Sequence, residues 1–208
     1  MSDKLRHDLR RAYDANAILR ERSHLPPWKH AERQQFLAVL QDRLSIRILE
    51  VGAGTGRDSR FFADAGCEVT CIDLSGAMVQ LCRDKGLTAS IMDVADLSFA
   101  DATFDAVYSF NSLLHLPKSE LPAVLQEIRR VLAPGGLFYF GTYGGYDHEG
   151  IFEDDDHIPR RFFSFYEDAR LRRVASDVFD ELSFESLDVP ETEGPLRFQS
   201  LLLQRPRS

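Results

Sequence analysis

The sequence predicts an α/β protein: a doubly wound, mostly parallel sheet entered through two helices and closed by a terminal antiparallel hairpin. Three observations predict it. Short apolar runs alternate with helical patterns from about residue 46 to residue 142, three glycines at alternate positions follow the first run, and two β patterns flanking a turn-rich stretch end the chain. Such alternation implies parallel strands joined by right-handed crossovers.

Taken in order, residues 2 to about 22 read as a charged helix with Leu5, Leu9, Ala12 and Tyr13 at helical spacing. Pro26-Pro27-Trp28 breaks it, and a second amphipathic helix runs from about Lys29 to Leu44 with Phe36, Leu37 and Leu40 inward. Strands follow near 46–51, 68–72, 88–92, 104–109 and 136–142, with helices near 57–66, 76–85 and 119–132. Ser75 is placed to cap the helix opening at Gly76. A long irregular segment and a helix over about 166–178 precede the last two β patterns, Glu181 to Val189 and Leu196 to Gln204. Pro190-Glu191-Thr192-Glu193-Gly194-Pro195 turns the chain between them, so the pair returns antiparallel.

At 208 residues the chain suits one domain with room for a substantial core. Hydrophobic residues at 44% and charged residues at 28% are the balance of a soluble globular protein. No apolar run approaches the ~18 residues needed to span a bilayer, so no membrane association is expected. The charged start Met1-Ser2-Asp3-Lys4-Leu5-Arg6 has no apolar signal core behind it, which predicts a cytoplasmic protein. A net charge of −8 argues against nucleic acid, whose phosphates demand a basic footprint. Two of the basic pairs Arg129-Arg130, Arg160-Arg161 and Arg172-Arg173 fall within helical patterns and read as solvated faces. Cys67, Cys71 and Cys82 lack paired ligand spacing and read as buried free thiols, so no metal is expected. The chain is expected to work as a monomer or homodimer.

Function is written most densely in Arg47-Ile48-Leu49-Glu50-Val51-Gly52-Ala53-Gly54-Thr55-Gly56-Arg57-Asp58. An apolar strand ends in a carboxylate, and glycines then let the backbone turn out and approach a ligand that a Cβ would block. The helix that follows aims its free N–H groups at the same point. Asp73 ends the next apolar run, Val69 to Ile72, and Asp93 follows the third, Ala89 to Met92. Acids at the carboxyl ends of parallel strands beside a glycine loop describe a nucleoside-cofactor site. A dinucleotide fingerprint would read G-x-G-x-x-G; here the third glycine comes one residue early.

With Asp73 and Asp93 added, the loop after Glu50-Val51 resembles the motif set of the class I S-adenosylmethionine (SAM)-dependent methyltransferases of small-molecule type. That set reads E/D-x-G-x-G-x-G, then an acid after strand two and an acid after strand three. Phe104-Asp105-Ala106-Val107-Tyr108-Ser109 resembles the family's fourth-strand segment, and Leu132-Ala133-Pro134-Gly135-Gly136-Leu137 its turn into strand five. The five elements keep family order over roughly residues 46 to 142.

The resemblance implies a Rossmann-like seven-stranded sheet whose last strand inserts antiparallel. It also implies a single methyltransferase domain over 1–208, made of a helical cap (1–44), a SAM-binding half (45–142) and a lid and acceptor segment with the C-terminal hairpin (143–208). SAM would be the cofactor, S-adenosylhomocysteine the product and a small molecule the acceptor. Glu50 is implied near the methionyl ammonium, with Gly52, Ala53, Gly54 and Gly56 against that moiety. Asp73, beside Leu74, would take both ribose hydroxyls, since one carboxylate accepts two donors at once. Asp93 would accept from the adenine amine while the Val94 N–H donates to the ring; Asp96 lies close enough to serve instead. Ser109 at the end of strand four completes the cofactor set. Arg57 and Asp58 read equally as cofactor contacts or surface charge.

Methyl transfer is an in-line displacement from a positive donor, so positioning the acceptor is the main demand. A base is needed only if the acceptor must lose a proton. His115, just past strand four, is the candidate, with an ordinary pKa of ~6.5 suited to the task; its other reading is a histidine that orders the loop. The segment from Tyr143 to Phe165 is expected to act as a lid. Its Arg161-Phe162-Phe163 is similar to an R-F-F stretch of small methyltransferases. Tyr143, Arg161 and Phe163, with Tyr13 from the cap, are expected to face the acceptor. Two other functions keep the same fold: a SAM-binding cyclase or decarboxylase, and a non-catalytic interaction module.

Overall fold

A computed structural model describes residues 1–40, 46–189 and 194–207. Two helices come first, α1 over Asp3–Arg22 and α2 over Pro27–Leu40. The Ser2 hydroxyl accepts the Leu5 N–H at the start of α1, 3.3 Å away. Pro26 and Pro27 separate the helices, and Pro27 opens the second, where its missing N–H costs no helical bond. The expected continuation of α2 to Leu44 lies outside the described residues.

The sheet then builds as the alternation predicts. β1 (Arg47–Val51), α3 (Arg57–Asp64), β2 (Glu68–Asp73), α4 (Gly76–Asp84) and β3 (Thr88–Ile91) form one half. β4 (Phe104–Phe110), a 3-10 turn at Leu113–His115, α5 (Leu121–Val131) and β5 (Leu132–Gly144) begin the other. After β6 (His148–Ile151) and β7 (Phe162–Phe165) come α6 (Asp168–Ser176), β8 (Asp180–Asp188) and β9 (Arg197–Gln204). Strand order is β3-β2-β1-β4-β5-β9-β8. The first five strands pair in parallel, and β9 slots antiparallel between β5 and β8. The order reverses between β1 and β4, so a crevice opens beyond their carboxyl ends, where such sheets bind ligands.

Burial on both faces explains the near-continuous apolar strands. On β4 and β5, Ala106, Tyr108, Leu137 and Tyr139 pack toward Phe36 of α2, Phe62 of α3 and Val79 of α4. The alternate residues Val107, Phe138 and Phe140 pack toward Val124 and Ile128 of α5 and Leu171 of α6. Ser75 caps α4 as expected, its hydroxyl taking the Met78 N–H at 3.1 Å.

Two details differ from expectation. β5 starts at Leu132 rather than 136, pairs there with Phe104, and shifts register before Ala106. And the segment after β5 is not irregular: β6 and β7 form a separate antiparallel ribbon, His148 opposite Phe165 and Ile151 opposite Phe162. His148-Glu149-Gly150-Ile151 has little β propensity of its own. The pairing is driven by Phe163 and Phe165, which bury against Leu114.

Candidate active site

The glycine loop is held from beneath. Gly52 and Ala53 donate their N–H groups to the Ile72 carbonyl of β2, at 2.9 and 3.0 Å. Gly52 sits at φ +69°, and a Cβ there would fall 2.0 Å from the Ser112 hydroxyl, so only glycine lets β1 and the β4 exit meet. At Gly54 nothing lies within 4 Å of where a Cβ would be, so its backbone borders open space. The Gly54 and Ser75 N–H groups each donate to a different oxygen of Asp73, both at 2.8 Å. Burial raises the Asp73 pKa, opposed by those two donors. Two of its roughly four lone-pair sites remain for a ligand.

Two connected chambers open over this loop, of about 90 and 210 Å³. The first is lined by Tyr13, Gly52, Gly54, Asp73, Leu74, Asp93, Val94 and His115. The second is lined by Glu50, Ala53, Arg57 and Asp58, with Gly52 and Gly54 shared. Arg20, Phe110 and Asn111 also line both and mark the junction. Arg57 and Asp58, left open by sequence, thus belong to the cleft.

The acids Glu50, Asp58 and Asp93 are answered by α3, α2 and α1 in turn. Glu50, 3% exposed, accepts the Ser59 hydroxyl; burial first and the nearby Asp58 second push its pKa well up. Asp58 accepts from Arg33 of α2 at 3.0 Å. Asp93 takes the Ala95 N–H at 2.9 Å and the Arg6 guanidinium of α1. Asp14 of α1 accepts the Ser75 hydroxyl at 2.6 Å and the Ala77 N–H at 3.1 Å, at the start of α4. The first helix is therefore a roof fastened mostly by polar contacts.

His115 is 4% exposed and tightly held. Its Nδ1 lies 2.8 Å from the Phe162 carbonyl, which can only accept, so the hydrogen sits on Nδ1. Nε2 then accepts the Tyr13 hydroxyl at 2.6 Å. Burial, aided by the charges of Arg161 and Arg20, lowers its pKa to about 3. This corrects the expectation of a base titrating near ~6.5. The imidazole is neutral throughout the physiological range, and its basic nitrogen is already covered. Arg161 donates to the Tyr13 oxygen at 3.1 Å and grips Asp155, Nη2 to Oδ1 at 2.6 Å.

Other expected site residues lie behind the walls. Gly56 lines neither chamber; a Cβ there would meet Cys82 Sγ at 2.8 Å, so this glycine serves the packing of α3 on α4. Ser109 is fully buried within β4, away from both chambers, and its hydroxyl meets no partner among the described residues. Phe163 backs the His115 ring at 4.7 Å between centroids. Arg161 reaches the first chamber through Tyr13. Tyr143 stands in an aromatic wall with Trp28 and Phe198, beside the Lys29 ammonium.

Residues 48–136 match the model of a family described as methyltransferase domain. The stretch from β1 into β5 is thus similar to a methyltransferase domain. A malonyl-[acyl-carrier protein] O-methyltransferase of Erwinia pyrifoliae is 39% identical over 121 residues, 55% of this chain and 45% of that protein. A ubiquinone biosynthesis O-methyltransferase of Xanthomonas oryzae pv. oryzae is 32% identical over 117 residues, 53% of this chain and 48% of its own. The chain thus spans about half the length of the curated relatives it matches. Among solved structures, the 1,6-didemethyltoxoflavin-N1-methyltransferase of Burkholderia thailandensis superposes with a TM-score of 0.75 at 19% identity, covering 99% of this chain and 91% of that one. That crystal holds 1,6-didemethyltoxoflavin and S-adenosylhomocysteine.

The methyltransferase match covers the glycine loop, Asp73, Asp93 and His115, and leaves out both roof helices and the β6–β7 ribbon. Reading the sequence missed Arg20 and Asn111 as cleft residues. Arg20 is one of many charges on a polar helix, and nothing local marks it. Asn111 carried a faint signal: it sits at φ +53°, a conformation asparagine tolerates, immediately after a strand.

Proposed function

We propose that the chain is a SAM-dependent methyltransferase acting on a small molecule. The observation that carries this is Asp73, a half-buried carboxylate pinned by Gly54 and Ser75 with lone pairs left over, at the meeting of a glycine cradle and a cleft. The residues fit the group. Asp73 takes the ribose diol, and Leu74, Met92 and Val94 line the adenine end. Asp93 reaches the adenine amine only as Arg6 yields, so its role is shared with the roof. In the second chamber the Glu50 and Asp58 carboxyl oxygens are placed to accept from the ammonium, and the loop backbone approaches the methionyl chain. When bound, SAM supplies an electrophilic methyl; the chain's residues orient the acceptor and exclude water. Tyr13 and His115 then face the acceptor as one hydrogen-bonded unit, with Arg161 and Phe163 fixing that unit from behind.

Both relatives described above act on oxygen by name, which supports an oxygen acceptor. Residues 1–40 and 143–165 cover the cleft and are proposed as cap and lid of the same domain. Among the described residues no helix is long and apolar enough to cross a membrane. The three cysteines are free, which suits a reducing compartment, and the proposed location is the cytoplasm. Calorimetry with SAM, together with detection of S-adenosylhomocysteine after incubation with acceptors, tests the proposal. Binding without any product would favour non-methylating chemistry, and no binding would end it.

A further inference from the structure

Glu50 reaches the second chamber from the end region of β1, and what fixes its carboxyl lies behind the chamber wall. Ser59, in the first turn of α3 and fully buried, donates its hydroxyl to Glu50 Oε2. A serine inside a helix often turns its hydroxyl to the carbonyl four residues back. Here that carbonyl, of Thr55, accepts the Lys85 ammonium at 2.7 Å, and the Ser59 hydroxyl turns to Glu50. From the other side Cys71 of β2 donates its thiol to Ser59 Oγ at 3.0 Å, which leaves the serine hydrogen for the carboxyl. Cys82 of α4 donates to the Gly54 carbonyl at 3.4 Å and touches Cys71. A line of polar contacts therefore runs beneath the glycine loop to Glu50. None of Ser59, Cys71 and Cys82 lines either chamber.

An ionised Glu50 attracts an ammonium strongly, and a protonated one does not. Burial and Asp58 favour the protonated form; the Ser59 hydroxyl and N–H oppose them by donating to the charged one. The other groups facing Glu50 are Cys71 of β2, Cys82 of α4 and Tyr108 of β4, while Arg33, Lys29 and His30 of α2 act on Asp58. Burial pushes Tyr108 up, and contact with Cys71 followed by burial pushes Cys82 up, so both stay protonated. Cys71 is lowered by its contact with Cys82 and needs a control of its own.

We propose that Ser59, oriented by Cys71, is a positioning residue that presents Glu50 as a carboxylate to the ammonium of the bound cofactor. This rests on the cleft being a SAM site. Ser59 touches no ligand and acts only through Glu50. Its removal therefore makes Glu50 harder to ionise and costs affinity for any ligand that carries the ammonium, most where protons are plentiful.

The test is calorimetry on the full chain with two probes: S-adenosylhomocysteine, which carries the ammonium, and 5′-methylthioadenosine, which lacks the amino-acid end. Kd is measured from about pH 6 to about pH 9 for the wild type, Ser59→Ala and Cys71→Ala. The ligand amine titrates alike for all three proteins, so ratios of Kd isolate the protein. Ser59→Ala should weaken S-adenosylhomocysteine roughly 10-fold or more near pH 6, with the gap closing toward pH 9. Its Kd for 5′-methylthioadenosine should match the wild type. Cys71→Ala keeps the serine and should show a smaller loss of the same pH sense, which carries the test if melting curves show Ser59→Ala unfolded. An equal loss at every pH, or none, overturns the proposal. So does an equal loss with 5′-methylthioadenosine, which would mean the loop itself had moved. A Cys71→Ala variant with no pH dependence left would assign the titration to the thiol and overturn it as well. A wild type that binds neither probe is a different result and ends the SAM reading itself.

Discussion

Asp73 is half-buried, with its pKa raised by desolvation, yet two backbone donors hold it in place, so its remaining lone pairs are costly to leave unmet. Asp73→Ala should weaken SAM binding by roughly 1.5–3 kcal/mol, the range for hydrogen bonds to a charged group. Equal affinities for the two proteins by calorimetry would remove Asp73 from the site. His115 makes a different prediction, about stability. Its folded pKa of about 3 lies below the ordinary 6.5. Between those values the unfolded chain binds more protons, so this residue adds stability as pH rises through the window and adds its full share above it. The contribution is at most roughly 4–5 kcal/mol. Denaturant melts of wild type and His115→Gln should show the wild type losing its advantage as pH falls from about 6.5 toward about 4. A gap that stays constant would mean burial does not hold the imidazole neutral.

At the scale of elements, the first helix and the β6–β7 ribbon meet at Tyr13 and Arg161 and are proposed to act as one latch. α1 buries only Leu9, Ala12 and Ala17 along its length. It is fastened by Arg6 to Asp93, Glu21 to Lys85, Asp14 to the start of α4, and Tyr13 to His115 and Arg161. Elements with little apolar burial open at low cost, and exposed ion pairs weaken as salt rises. Together the two chambers reach only the lower end of the ~300–1,000 Å³ usual for small-molecule sites, which supports the proposal that the latch shifts for ligands to enter. Hydrogen exchange in α1 and in residues 148–165 should slow on adding S-adenosylhomocysteine, and α1 should exchange faster in about 1 M salt. Protection confined to residues 50–95 would refute the latch.

Across the whole molecule, what was legible in the sequence was what repeats or punctuates. Alternating runs such as Ala106-Val107-Tyr108 gave the strands, and Gly52, Gly54 and Asp73 gave the crevice. What escaped depends on contacts between distant segments. Nothing near His115 in sequence announces that Tyr13 and Phe162 will occupy its two nitrogens, and so its basicity was misjudged. Gly56 looks like its neighbours in the loop, but its cause is a thiol on another helix. Ribbon pairing was invisible because the aromatic half, Phe163 and Phe165, finds its partner in a strand of little propensity.

Because the crevice joins both halves of the sheet to the roof, ligand binding should register on global unfolding. A ligand held by the native state alone stabilises it by RT ln(1 + [L]/Kd), about 2.7 kcal/mol at a hundred times Kd. For a domain of this size each kcal/mol moves Tm by roughly 2–4 °C, so S-adenosylhomocysteine at that excess should raise Tm by roughly 5–10 °C. At the same ligand concentration Asp73→Ala should show a visibly smaller shift, since a loss of ~1.5–3 kcal/mol in affinity takes the ligand from a hundred times Kd to between about eight times Kd and somewhat below it. NADH should produce none, because the third glycine is placed for α3 to pack on α4 and the loop lacks dinucleotide spacing. A larger shift with NADH than with S-adenosylhomocysteine would overturn the cofactor assignment. An Asp73→Ala shift equal to the wild type would leave the assignment standing and move the ribose contact elsewhere in the cleft.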